Sequence, residues 1–165
     1  MRLFLLPFVL LGLCATHPTV VHAAQRNLPN IILIVCDDLG YGDLGLFGPA
    51  LQRTPHLQQL AAEGAVLSNF YVTSGVCSPS RSSIMTGSYP RRTNLHQDAQ
   101  GRWVLIPVGS RGLNPDEVTI AEVLKTQDYA TGILGKWHLG DQPEFLPTRQ
   151  GFDYWFGIPY SNNMY

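Results

Sequence analysis

A cysteine, a proline two residues on and an arginine four residues on stand together in Cys77-Ser78-Pro79-Ser80-Arg81. Pro79 suits the first turn of a helix, where its missing N–H would have no partner anyway, and Gly87 suits the helix end. A helix continuing through Ser80 to Thr86 places Cys77 at its N-terminus, where the backbone dipole favours negative charge. Arg81, one turn on, points back toward the same spot. The pattern describes a nucleophile in an anion-attracting pocket; its bland counterpart is a structural or redox cysteine capping a helix.

Two further groups of chemically capable residues follow apolar runs. Asp37 and Asp38 come directly after Asn30–Cys36, a run without alternation that predicts a strand buried on both faces of a parallel sheet. Carboxylates at the end of such a strand lie where open α/β sheets place ligands, and hard oxygens suit Ca²⁺ or Mg²⁺. A solvated turn or a helix cap is the plain alternative. Lys136 and His138 follow a strand predicted at Thr131–Gly135. On an extended segment alternate residues share a face, so an ammonium and a proton-transferring imidazole can reach one pocket. Surface charge around a packed Trp137 is the competing reading.

The elements that must position these groups alternate. Thr54 as N-cap and Pro55 open a helix whose apolar face is Leu57, Leu60 and Ala61, and Gly64 closes it. Ala65–Val72 reads as a second strand leading to Cys77. Residues 88–113 are irregular, and Asp116-Glu117 opens another helix with Ile120, Val123 and Leu124 inward. The aromatic stretch after Gly151 reads as turn-rich. Strands alternating with helices predict an α/β fold, a mostly parallel sheet flanked by helices.

The chain has 165 residues, 45% hydrophobic and 14% charged, with a net charge of −1. That composition is globular, and the absence of a basic stripe argues against nucleic acid as a partner. Residues 1–23 read as a secretory signal peptide: Arg2, an apolar run from Leu3 to Leu13, and a small-residue cleavage site at Val21-His22-Ala23. The run is too short for a stable membrane span. Residues 24–29 form a polar leader. Of three cysteines, Cys14 leaves with the signal. Cys36 reads as a small buried hydrophobe. A Cys36–Cys77 disulfide, possible in an oxidising compartment, would consume the nucleophile. No Asn-x-Ser/Thr sequon occurs, which disfavours a lysosomal product. The sequence predicts an exported protein, periplasmic or secreted.

Cys77-x-Pro79-Ser80-Arg81 with Thr86-Gly87 resembles the signature of the type I sulfatases of the alkaline phosphatase superfamily. Asp37-Asp38-Leu39-Gly40-Tyr41-Gly42-Asp43 and Gly135-Lys136-Trp137-His138-Leu139-Gly140 are similar to two further motifs of that family. Gly151-Phe152-Asp153 and Gly157-Ile158-Pro159-Tyr160-Ser161 resemble its arylsulfatase A and N-acetylgalactosamine-6-sulfatase branch. The resemblance implies an alkaline-phosphatase-like fold, of which residues 30–165 are the N-terminal, incomplete part of the catalytic domain. It implies that a formylglycine-generating enzyme converts Cys77 to formylglycine, the nucleophile toward a sulfate ester. It also implies that Asp37, Asp38 and residue 77 face a Ca²⁺ (or Mg²⁺), that Arg81 and Lys136 face the reacting groups, that His138 transfers protons, and that Ser161 touches the sulfate. The expected activity is hydrolysis of sulfated sugars or aryl sulfates. A phosphonate or phosphodiester hydrolase of the same superfamily and a catalytically inert truncated fragment are the alternatives. The family's remaining metal ligands, second histidine and second lysine have no counterpart in these residues.

Overall fold

The computed structural model describes residues 28–49 and 51–161. The predicted signal peptide and Cys14 lie outside the described residues. The chain divides into two compact units, Met1–Val35 and Cys36–Tyr165. In the first, the described residues run without helix or strand, and Ile32 and Ile34 are 84% and 73% exposed. The buried strand expected there is therefore not formed. An apolar run becomes a central strand only when neighbours cover its faces and pair its backbone.

The second unit is built on helices α1 (Pro55–Glu63), α2 (Cys77–Thr86) and α3 (Ile120–Lys125) and strands β1 (Gly132–Lys136) and β2 (Tyr154–Ile158). The strands pair in parallel, with Gly132 beside Tyr154 and Lys136 beside Ile158. The two-stranded ladder draws the strands together at a glycine pair. A Cβ on Gly157 would collide with the Gly135 carbonyl oxygen. The sequence reads this aromatic stretch as turn-rich because a five-residue strand carries little periodicity.

Local chemistry explains where each helix begins. In α2, Pro79 occupies the first turn and is buried. Gly87, at φ 64° and ψ 14°, takes the left-handed cap and donates its N–H to the Ser83 carbonyl at 2.8 Å. α3 starts later than Asp116-Glu117 suggests, because Thr119 and Glu122 form a reciprocal capping box. The Glu122 N–H donates to Thr119 Oγ1 at 3.2 Å, and the Thr119 N–H donates to Glu122 Oε2 at 2.7 Å. Ala121 is its buried residue, whereas Ile120 and Val123, expected inside, are exposed. Thr54 precedes α1 without capping it, since its hydroxyl accepts the Gly45 N–H instead. Leu57 and Leu60, expected to face a core, are exposed, as are Val66, Leu67, Phe70, Tyr71 and Val72 in a segment that forms no strand.

The core that does close lies around the end of β1. Leu95, Leu105, Leu113, Trp137, Leu139 and Tyr160 are buried together, with Met85, Ile133, Phe152 and Trp155 packed against them. Burying side chains of this size stabilises by roughly 1.5–3 kcal/mol each, which holds the segment after β1 rigidly. Asp153 pins the start of β1: its carboxylate accepts the Thr131 N–H at 2.9 Å and Lys125 Nζ at 2.5 Å. Among the described residues no helix is long and apolar enough to cross a membrane.

Candidate active site

Cys77 is the first residue of α2 and is half-buried. Val76 before it is extended, and the Ser80 N–H donates to the Val76 carbonyl at 3.3 Å, so the helix turns directly at the cysteine. Cys36 and Cys77 are both free, and Cys36 is exposed rather than buried. A free thiol at the helix start leaves residue 77 available for chemistry.

One turn along, Arg81 joins three segments distant in sequence. Its Nη1 donates to the Lys136 carbonyl at 2.6 Å and its Nη2 to Asp37 Oδ1 at 2.8 Å. Lys136 Nζ donates to Asp37 Oδ2 at 2.6 Å. The Arg81 and Lys136 side chains are each 15% exposed, and Asp37 is 41% exposed. Burial alone would raise the Asp37 pKa, but the hydrogen bonds and charges of Lys136 and Arg81 outweigh it and hold the carboxyl below its usual value. Two cations against one carboxylate leave a net positive charge on this trio. Arg81 Nε is buried there without a hydrogen-bond partner. Such a site attracts an anion.

His138 is placed differently from the strand argument. Its φ is 61°, so the extended course breaks at this residue and strand alternation does not align it with Lys136. Its orientation comes instead from the backbone beyond the ladder. The Trp137 N–H donates to the Ile158 carbonyl at 3.0 Å and the His138 N–H to the Pro159 carbonyl at 2.9 Å. The ring meets Tyr160 edge-on, with centroids 5.3 Å apart. His138 Nε2 lies 2.9 Å from the Leu105 carbonyl oxygen. A carbonyl only accepts, so Nε2 carries the proton, and in the neutral ring Nδ1 carries the lone pair. Nδ1 is enclosed and without a hydrogen-bond partner.

Burial lowers the His138 pKa most. The Leu105 hydrogen bond opposes it, the Lys136 and Arg81 charges add to it, and Asp37 opposes it. The four groups therefore share one electrostatic environment, and the ring is neutral at neutral pH.

A further link escaped the sequence. Leu105, whose carbonyl holds His138, donates its own N–H to Ser78 Oγ at 3.1 Å. Ser78 adjoins Cys77 and is 1% exposed. The start of α2 and the His138 ring are thus tied through one peptide segment. The serine stood in view beside the cysteine, but no pattern announces a backbone carbonyl.

The other expected residues are less engaged. Asp38 is exposed, at φ 56°. Ser161 follows the buried Tyr160 and is half-buried, and no hydrogen bond ties its hydroxyl to Lys136 or His138. Among the described residues no three Asp, Glu, His or Cys side chains gather to hold a metal ion. Asp37 spends both carboxylate oxygens on Arg81 and Lys136. The described residues alone do not fit a divalent cation.

Over most of its length the chain is similar to known sulfatases. Arylsulfatase A of Bos taurus is 52% identical over 142 residues, covering 85% of this chain and 27% of the relative. N-acetylgalactosamine-6-sulfatase of Sus scrofa is 43% identical over 153 residues, covering 92% and 29%. Among solved structures, Ps i-CgsB is similar with a TM-score of 0.73 at 41% identity, over 81% of this chain and 28% of that one. The PsFucS1 sulfatase from Pseudoalteromonas sp. is similar with a TM-score of 0.64 at 33% identity, over 74% and 24%. The fold is the alkaline-phosphatase-like fold of these sulfatases. This chain spans about a quarter of the length of the curated relatives it matches. Residues 29–165 match the family model described as Sulfatase, and the chain belongs to the sulfatase family.

Proposed function

We propose that this chain is the N-terminal part of an exported sulfuric ester hydrolase that releases inorganic sulfate from a sulfated sugar or aryl sulfate. The observation that carries this reading is the trio of Arg81, Asp37 and Lys136, held within 2.6–2.8 Å of one another and joined to the helix that begins at Cys77. A formylglycine made from Cys77 by a sulfatase-maturing enzyme would supply a hydrated aldehyde, whose one hydroxyl can attack sulfur and whose other can then help eliminate sulfate. A plain thiol has no second hydroxyl.

The chain's own residues do the rest. Lys136 exchanges Asp37 for a sulfate oxygen, placing its ammonium against charge that develops as the ester bond breaks. Arg81 keeps residue 77 oriented, because its two terminal nitrogens are committed to the Lys136 carbonyl and to Asp37. His138 accepts a proton at Nδ1, since its Nε2 proton is committed to Leu105. Enclosure of the ring excludes water from that transfer. Ser161 contributes a hydroxyl toward the sulfate.

Asp37 and Asp38 supply oxygen donors of the kind Ca²⁺ or Mg²⁺ takes, and with residue 77 they would be the ligands this part of the chain offers, although among the described residues no three such side chains gather. Their completion rests on ligands from the remaining length of the relatives. The 165 residues alone are accordingly expected to be inert.

Parallel kinetics on an aryl sulfate and an aryl phosphodiester test the reading, using protein of the relatives' length with residue 77 converted. A higher kcat/KM for the sulfate supports it. Equal or greater efficiency on the phosphodiester moves the protein to the phosphodiesterase branch of the superfamily. Turnover by the 165-residue chain would overturn the expectation that it is inert.

A further inference from the structure

Val108 has φ 58°, in the left-handed region that a β-branched side chain strongly disfavours. It forms a turn with Pro107 and is 85% exposed, so packing does not impose that conformation. What holds it is a hydrogen bond to a distant segment: the Val108 N–H donates to Asp141 Oδ2 at 2.7 Å. Turn positions that need positive φ ordinarily take Gly or Asn. Backbone strain of this kind persists only where the surroundings enforce it, and it collects at functional sites.

Three residues before Val108, the Leu105 carbonyl accepts from His138 Nε2 at 2.9 Å. Three residues before Asp141 stands His138 itself. Segments 105–108 and 138–141 are therefore joined at both ends, once through the imidazole and once through the carboxylate. The 138–141 side is the anchored one. Leu139 is buried and its carbonyl accepts the Leu113 N–H at 2.8 Å. Gly140, at φ 111°, is packed so closely that a Cβ there would come within 2.7 Å of Gly112 Cα. The 105–108 side is stiff, because Pro107 locks its own φ and restricts Ile106 before it. A change at Val108 is then passed to the Leu105 carbonyl instead of being absorbed on the way. Ser78 holds the Leu105 N–H, but the carbonyl lies in the next peptide, shared with Ile106 on the turn's side.

We propose that Asp141 is a positioning residue for His138: it holds Val108 in the strained turn, the turn sets the Leu105 carbonyl, and that carbonyl aims the imidazole. Asp141 acts through the turn and not on the substrate. The inference rests on the reading of His138 as the proton acceptor.

Two readouts test it together: ¹⁵N NMR of the His138 ring in the 165-residue chain, and aryl sulfate turnover by converted protein of the relatives' length. Asp141→Ala should speed exchange of the Val108 amide and move the ring signals away from the pure Nε2–H tautomer. It should also lower kcat about tenfold with KM little changed. Asp141→Asn keeps an acceptor oxygen and should recover most of both. Glycine takes positive φ without strain, so adding Val108→Gly to Asp141→Ala should return the ring signals and kcat toward the parent's. A bond that serves stability alone predicts a lower urea midpoint with ring signals and kcat untouched, and that result would overturn the proposal. So would an Asp141→Ala defect that Val108→Gly leaves in place, since the turn would then not be the link. Pro107→Gly is an independent check should Asp141→Ala not fold. It keeps the Asp141 bond but loosens the chain between Val108 and Leu105, so the same ring change is expected and an unaltered ring overturns the proposal. Failure of the parent to release sulfate from any ester rejects the proposed activity, whereas the ring signals judge the Asp141 link by themselves.

Discussion

Replacing Ser78 by alanine removes one oxygen and reaches two parts of the site. Ser78 Oγ accepts the Leu105 N–H at 3.1 Å, and both residues are almost fully buried. An amide donor left buried without a partner costs about 1–3 kcal/mol. Alanine's better helix propensity at this position returns about 0.5 kcal/mol, leaving a net loss of roughly 0.5–2.5 kcal/mol. The same substitution frees the Leu105 peptide, whose carbonyl fixes the Nε2–H tautomer of His138. Urea unfolding of the 165-residue chain reads the first effect, and ¹⁵N-edited NMR of the histidine ring reads the second. Ser78→Cys keeps nearly the same volume with a weaker acceptor, so it should fall between parent and alanine variant and separate the hydrogen bond from packing. The expected result is reduced stability together with a His138 ring no longer locked in one tautomer. An alanine variant as stable as the parent, with unchanged ring signals, would refute the link.

Three further outcomes follow from the electrostatics. His138 has a lowered pKa, so its contribution to stability is present above the unfolded value of about 6.5 and is lost as pH falls below it. Acid unfolding curves should show this limb, and His138→Gln should remove it. Asp37 and Asp153 are also lowered, Asp153 to about 2, chiefly by its hydrogen bond from Lys125. Their contributions are present above about pH 3.9 and fade as pH falls through the folded values, so a second limb should extend toward pH 2. Asp37→Asn leaves Arg81 and Lys136 without their counterion. At pH 7 it should destabilise by on the order of 1 kcal/mol, discounted for the partial exposure of the carboxylate. Added sulfate should restore more stability to that variant than to the parent, as measured by thermal melting.

The helix that carries Cys77 was legible because its signals are local: Pro79 in the first turn and Gly87 at the cap leave little else for the chain to do. The start of α3 was equally written, in Thr119-x-x-Glu122, but Asp116-Glu117 offered a competing acidic start. The apolar runs at 31–35 and 65–72 misled. Periodicity reports what a segment could bury, whereas a strand exists only beside a partner, and among the described residues only β1 and β2 pair. At the site, the residue types were readable and their bonds were not. Arg81 and Asp37 are 44 positions apart, and Lys136 and Asp37 are 99 apart, so no spacing rule relates them. His138 departed from strand alternation because its backbone turns left-handed while its N–H follows the end of β2. Leu105 acts through its peptide groups, which every residue has, and so it gave no sign.

Whether residue 77 becomes the nucleophile is read from mass spectrometry of the peptide spanning Cys77, from protein made in its native host. The expected result is the loss of one sulfur and two hydrogens with the gain of one oxygen, the signature of formylglycine, in a peptide whose Pro79 and Arg81 are unmodified. An intact cysteine at position 77, in a host shown to convert another sulfatase, would contradict it.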